Sequence, residues 1–196
     1  VNGQPNHGIL MRSLAEGVHA EYLAREDGTS PPRLEVDVGS GPASPLTIKA
    51  KGELANGVGR TLSDKIATAY QPLTSVVFQP GSEGKDGGVR SAQSTDNFGV
   101  AKEITVSGGA DPEHLLIQFP TDRIPGGSRI VSARLEVYIN WLSSSDPAAE
   151  FSVPRMTESW TEGSGDSWNP GDGANWSTSD GSQNWDWTTN HDSSTA

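Results

Sequence analysis

An all-β chain, folded as an antiparallel β-sandwich of jelly-roll type, is what this sequence specifies on three counts. Its apolar residues fall in short runs rich in Val, Ile, Leu, Phe and Tyr, each bounded by Gly, Pro, Asn or Asp. Several runs alternate. In Arg134-Leu135-Glu136-Val137-Tyr138-Ile139, Leu135, Val137 and Ile139 share one face while Arg134, Glu136 and Tyr138 take the other. Helical spacing occurs only at Leu62–Tyr70, through Leu62, Ile66 and Ala69, and predicts a short, marginal helix.

In chain order the expected strands are His7–Leu14, Val18–Arg25, Arg33–Val38, Leu46–Lys51, Ser75–Gln79, Lys102–Ser107, His114–Phe119, Arg129–Asn140 and Phe151–Thr157. Residues 39–45 (Gly-Ser-Gly-Pro-Ala-Ser-Pro) read as a linker, because Pro and Gly resist both ladders and helices. From Thr161 to Ala196 there is no Val, Ile, Leu, Met or Phe. Trp168, Trp176, Trp185 and Trp187 stand there among Gly, Ser, Asn and Asp, with six acidic residues and no Lys or Arg. Such a stretch cannot build a core alone, so it is expected to be a long loop system draped on the sandwich, or disordered.

Composition excludes whole classes of function. The 196 residues carry 14 Lys and Arg against 25 Asp and Glu, a net charge of −11, which leaves no electrostatic footprint for nucleic acid and disfavours an anionic membrane surface. No apolar run is long enough to insert in a bilayer. The absence of cysteine removes disulfides, thiolate metal sites and a cysteine nucleophile. The polar opening at Val1 shows no signal peptide, so a mature form, a processed piece or a fragment is expected.

Three blocks carry a resemblance. They are Val77-Phe78-Gln79-Pro80-Gly81 through Thr95-Asp96-Asn97-Phe98-Gly99, His114-Leu115-Leu116-Ile117-Gln118-Phe119 through Ile124-Pro125-Gly126-Gly127 to Leu135, and Ser152-Val153-Pro154-Arg155-Met156-Thr157-Glu158-Ser159-Trp160-Thr161-Glu162. Together they resemble the DNRLRE domain, a family overlapping carbohydrate-binding module family ninety-six, some of whose members bind alginate. The N-terminus resembles the other end of the same family: Asn2 to Leu10, Tyr22-Leu23-Ala24-Arg25-Glu26 and Pro31-Pro32-Arg33-Leu34-Glu35-Val36 look like its closing strands. The resemblance thus implies closing strands at 1–38, a linker and connecting segment at 39–74, and the opening part of a sandwich at 75–196.

That order has a physical consequence. A sandwich missing its closing strands exposes inner-face side chains and unpaired edges. Burying several hundred Å² of apolar surface at roughly 25 cal/mol per Å² is on the order of 10 kcal/mol, comparable with a whole domain's stability. The missing strands must therefore come from another segment or another copy. Residues 1–38 either fold back in a circular permutation, or complete a neighbour head-to-tail, or belong to one window of a tandem array. The residues expected to make these contacts are Ile9, Leu10, Met11, Tyr22, Leu23, Leu34 and Val36.

Two kinds of ligand residue stand out. Trp168, Trp176, Trp185 and Trp187 could stack on sugar rings, or could anchor the Gly-rich loop in place of the aliphatic residues it lacks. Trp160, at a strand end, reads as core. Asp172, Asn175, Asp180 and Asp186, with Asp166 and Asp192, offer oxygens for calcium beside flexible glycines, although no segment fits the twelve-residue calcium loop. Solvated acidic loops are the plainer account. An acidic polysaccharide would need local cations, since like unit charges at 4 Å repel by roughly 4 kcal/mol at an effective dielectric near 20. Lys85, Arg90, Lys102, Arg129 and Arg134 could supply such a face, or calcium could bridge.

Catalytic patterns are absent. No His pair has zinc-protease spacing, there is no Gly-x-Ser-x-Gly elbow, and Gly57-Val58-Gly59 lacks the context of a dinucleotide fingerprint. Glu158 and Glu162, four apart, could share acid–base work but read as surface carboxylates. Asn175-Trp176-Ser177 is the lone glycosylation sequon. The expected function is a non-enzymatic structural module of an extracellular fibre or cell-surface protein, its partners copies of itself or adjacent repeats. The alternative is a carbohydrate-binding module for an acidic polysaccharide such as alginate, assisted by calcium.

Overall fold

The computed structural model describes residues 5–39, 74–143, 150–166 and 172–186. The expected strand Leu46–Lys51 and helix Leu62–Tyr70 lie outside them, as do Trp168, Trp187 and Asp192. The elements are β1 (Ile9–Ser13), β2 (His19–Leu23), a 3-10 turn at Arg25–Asp27, β3 (Arg33–Gly39), β4 (Thr74–Phe78), β5 (Lys85–Arg90), β6 (Glu103–Ser107), β7 (Glu113–Gln118), β8 (Arg129–Glu136), β9 (Ile139–Leu142) and β10 (Phe151–Ser152). All ladders between them are antiparallel. The chain is an all-β, sandwich-like fold. One curled sheet runs β10-β1-β7-β6-β2-β9 with β5 also on β7, and a smaller sheet runs β4-β3-β8.

The N-terminal segment completes its own chain. β1 lies between β7 and β10, β2 between β6 and β9, and β3 between β4 and β8. Ile9, Leu10 and Met11 pair with Ile117, Leu116 and Leu115. Tyr22 and Leu23 pair with Ile104 and Glu103, while Leu34 and Val36 pair with Phe78 and Val76. Of the arrangements open from sequence, this chain therefore adopts the fold-back. The expected linker is also shorter at both ends, because β3 runs to Gly39 and meets β4 at Val38↔Thr74. Residues 40–73 thus join two strands of one hairpin whose ends are already adjacent.

Two apolar clusters hold the sheets. Between them, Met11, Tyr22, Val36, Phe78, Ile104, Leu115, Ile117 and Phe119 form the main core. On the outer face of β1, β5 and β7 a second cluster gathers Leu10, Val89, Leu116, Met156, Trp160, Ala174 and Trp185. Alternation explains the split: Leu115 and Ile117 point inward while Leu116, between them, points outward. β1 and β7 are consequently buried on both faces, and the Trp-bearing loop supplies the second cover.

Three sequence expectations need correction. The run Arg129–Asn140 is two strands, because the chain leaves the small sheet after Glu136 and joins β2 in the large one as β9. Ile139 consequently turns out to solvent, at 44% exposure, instead of sharing a buried face with Leu135 and Val137. Phe151–Thr157 shortens to the two residues of β10. β5, Lys-Asp-Gly-Gly-Val-Arg, was not expected at all; a Cβ at Gly88 would lie 3.0 Å from Ile104 Cγ2, so packing excludes the side chain that strand propensity looks for.

Candidate functional site

Trp160, Trp176 and Trp185 pack against the sandwich. Trp160 and Trp185 are buried, and their indole N–H groups donate to the carbonyls of His7 (3.0 Å) and Asn175 (2.7 Å). Burial of Trp185, 6% exposed, removes it from the sugar-stacking candidates. Trp176 is half-buried, packs on the second cluster and lies 5.2 Å from the His114 ring. Truncating Trp185→Ala should cost about 3 kcal/mol in urea unfolding, the usual range for a lost core aromatic. A wild-type midpoint in that variant would show that the indole supports nothing.

The calcium candidates fold into separate turns. Asn175 Oδ1 accepts the backbone N–H groups of Ser177 and Thr178, both at 2.8 Å. Asp180 Oδ1 accepts those of Ser182 (2.8 Å) and Gln183 (2.7 Å), which hold its carboxyl below the usual range. Asp172 accepts from the Ser164 hydroxyl at 3.1 Å, and the Asp186 N–H donates to Glu158 at 3.0 Å. Asn175 and Asp180 thus act as turn caps, and among the described residues no three of the candidate aspartates converge. Asn175 is buried, so the sequon is not a surface acceptor in this fold.

Three of the five residues expected to form a basic face are engaged by other groups. Lys85 donates to the Trp160 carbonyl and lies over its ring at 4.6 Å. Arg90 pairs with Glu113 at 3.4 Å and covers Phe98, and Arg134 pairs with Glu35 and Glu136, each at 2.9 Å. A cleft of about 1070 Å³ at the β3–β8 end is lined by Arg155, Glu83 and Asp122 together with Val36, Phe119 and Ile130. Such a lining offers a uronate chain little net attraction.

What the fold does bring together is a cluster that no local pattern announced. Arg25 and Glu26, at the 3-10 turn after β2, meet Asp86 of β5 and Glu162 of the C-terminal loop. Arg25 uses its whole guanidinium. Nε and Nη2 bond Glu26 Oε1 at 2.8 and 2.7 Å, Nη2 also bonds Glu162 Oε2 at 2.8 Å, and Nη1 bonds the carbonyls of Gly81 (2.7 Å) and Gly84 (2.8 Å). Backbone N–H groups complete the tie: that of Arg25 donates to Asp86 Oδ2 and that of Asp86 to Glu162 Oε1, both at 2.8 Å. Glu158 and Glu162 therefore serve different partners and form no acid–base pair.

Asn97 braces the same corner. Fully buried, it donates to the carbonyls of Glu162 (2.7 Å) and Ala174 (2.8 Å) and accepts from the N–H of Gly165 (2.7 Å). Gly173 has to be glycine here, since a Cβ would meet the Glu162 carbonyl oxygen at 2.4 Å.

The electrostatics are unbalanced. Asp86 has no exposed surface, and burial pushes its carboxyl up to about 7, against the pull of the Arg25 N–H and with a further push from Glu26. Burial raises Glu162 as well and lowers Lys85. Asp86 Oδ1 and Glu26 Oε2 are both buried without a hydrogen bond; Arg25 Nε, at 4.0 Å from Asp86 Oδ1, is beyond bonding reach. The arrangement can hold positive charge, and it joins three distant stretches of chain. Comparison of the chain with family models, curated proteins and solved structures finds no match.

Proposed function

We propose that this chain is a non-enzymatic structural module of an extracellular or cell-surface assembly, a circularly permuted relative of the DNRLRE sandwich. One observation carries the reading: all three N-terminal strands are central in their sheets, so residues 9–39 are the staple without which β7 and β10, β6 and β9, and β4 and β8 lose their common partners. A segment that fills such slots in its own chain can fill them in a neighbour, and exchange of that kind propagates head-to-tail without closing. The outer strand β9 adds support: its Trp141 and the preceding Tyr138 are each 53% exposed, a surface of the kind that interaction edges present.

The test replaces residues 39–73 with Asn-Gly, a two-residue turn between the paired Val38 and Thr74 that locks the β3–β4 hairpin within one chain. Loop-closure entropy predicts a gain of about 2 kcal/mol from removing so long a connection. The full chain should form concentration-dependent oligomers in light scattering while the locked variant stays monomeric. A full chain that remains monomeric at every concentration would withdraw the assembly reading.

A further inference from the structure

We propose that Glu26, Asp86 and Glu162 form a binding site for a calcium-sized divalent cation that latches the N-terminal segment to the body of the sandwich. The geometry comes first. One carboxylate oxygen from each residue lies within 4.8 Å of one from each of the others. Calcium binds oxygens at about 2.4 Å, so two of its ligands are at most about 4.8 Å apart. Magnesium demands a near-ideal octahedron and gives up its waters reluctantly, so a cluster of three protein carboxylates favours calcium. The donors are all hard oxygens, which suits these two ions and not zinc or copper.

A group of acidic residues alone would mean little. The second observation is the pair of orphaned oxygens. Asp86 is fully buried, yet its Oδ1 has no hydrogen bond, and neither does the buried Glu26 Oε2. A buried anionic oxygen left unbonded loses its hydration with nothing in return. Arg25 cannot fill the gap, because its five N–H groups are committed to Glu26, Glu162, Gly81 and Gly84. Lys85 is turned to the Trp160 carbonyl. Three carboxylates therefore face one fully engaged guanidinium; Asp86 Oδ1 and Glu26 Oε2 can take a cation without giving up a hydrogen bond, while Glu162 would share an oxygen that is already bonded. Glu26 and Glu162, each with about a fifth of its side chain exposed (18% and 20%), leave a route for the ion and room for water to complete its coordination.

The consequence is specific to this chain order. Glu26 belongs to the N-terminal staple, Asp86 to β5 and Glu162 to the Trp loop, so one ion would tie all three and oppose opening of the sandwich.

The test uses the full chain, stripped with chelator and melted at pH 7.5 alone, with calcium chloride, and with magnesium chloride. Saturating calcium should raise the melting temperature by about 5 °C, since an ion bound only by the folded state stabilises it. Asp86→Asn keeps the shape and the acceptor for the Arg25 N–H; together with Glu26→Gln it should abolish the shift and the calorimetric calcium binding. Asp180→Asn, in the loop, should leave both unchanged. No shift in the wild type, a shift retained in the variant carrying both Asp86→Asn and Glu26→Gln, or one lost in Asp180→Asn would overturn the site. A magnesium shift as large as calcium's would overturn the size assignment. Calorimetric binding of one ion per chain is read whether the N-terminal segment closes its own chain or a neighbour, so the site and the assembly reading can fail separately.

Discussion

Arg25→Met should destabilise the chain by about 3 kcal/mol in urea unfolding at neutral pH, the largest loss expected from any single surface-reaching residue. Removing one partner of a buried ion pair leaves the others charged and desolvated, and this penalty exceeds what the pair itself contributes. Here one deletion strands Glu26, Asp86 and Glu162 and also frees the carbonyls of Gly81 and Gly84. The Arg25 side chain is 21% exposed, which sets the figure at the low end of the buried range. Arg25→Lys should recover little of it, because an ammonium cannot reproduce a planar fork that reaches two carboxylates and two carbonyls at once. A loss under about 1 kcal/mol would show that water already screens the cluster.

Asp86 sets the second large effect, on pH. Its carboxyl titrates near 7 in the folded state against 3.8 unfolded. Between those values the native protein holds a proton that the unfolded chain has released, so stability falls as pH rises. The contribution is complete below about pH 4 and gone above about pH 7. In chelator-treated protein its size is about 4 kcal/mol, from roughly 1.4 kcal/mol for each pH unit of separation. Glu162, also raised by burial, acts in the same direction, whereas the lowered Asp27, Asp37 and Asp180 act oppositely at more acidic pH. The clean measurement is therefore the difference between wild type and Asp86→Asn across pH 4–8, which should grow from about pH 4 to about pH 7 and then level off. A difference that stays flat would mean that the side chain is solvated.

Much of the sandwich could be read along the chain. β7, written His-Leu-Leu-Ile-Gln, and β3, written Leu-Glu-Val-Asp-Val, declare themselves by apolar content and alternation, and the structure places both within a residue or two of expectation. The Trp loop was legible in kind, since a stretch without aliphatic residues has only tryptophan to dock with, and Trp185 does so. β5 was illegible because its strand is dictated by what surrounds it: Ile104 and Phe98 crowd Gly88, and a pattern search sees only two glycines between charges. The carboxylate cluster was hidden for a related reason. Arg25 and Asp86 stand 61 positions apart, and Asp86 and Glu162 stand 76, so no local window holds two members of different stretches. Glu26 and Asp86 resemble any other solvated charge until the fold closes over them.

Placing the stapling strands first in the chain also sets a timetable. Ile9 waits for Ile117, and Ala20 for both Val106 and Leu142. Ribosomes add about 5–20 residues per second, so β1 and β2 leave the exit tunnel on the order of 5–20 s before their neighbours exist. Through that interval Leu10, Tyr22 and Leu23 are sticky and unshielded, a nascent chain that invites capture by a holding chaperone. Once the last partner emerges, closure across a hundred residues is slow by the rule that distant contacts fold late. Production of this protein should accordingly depend on translation speed and on temperature more than its finished stability would imply.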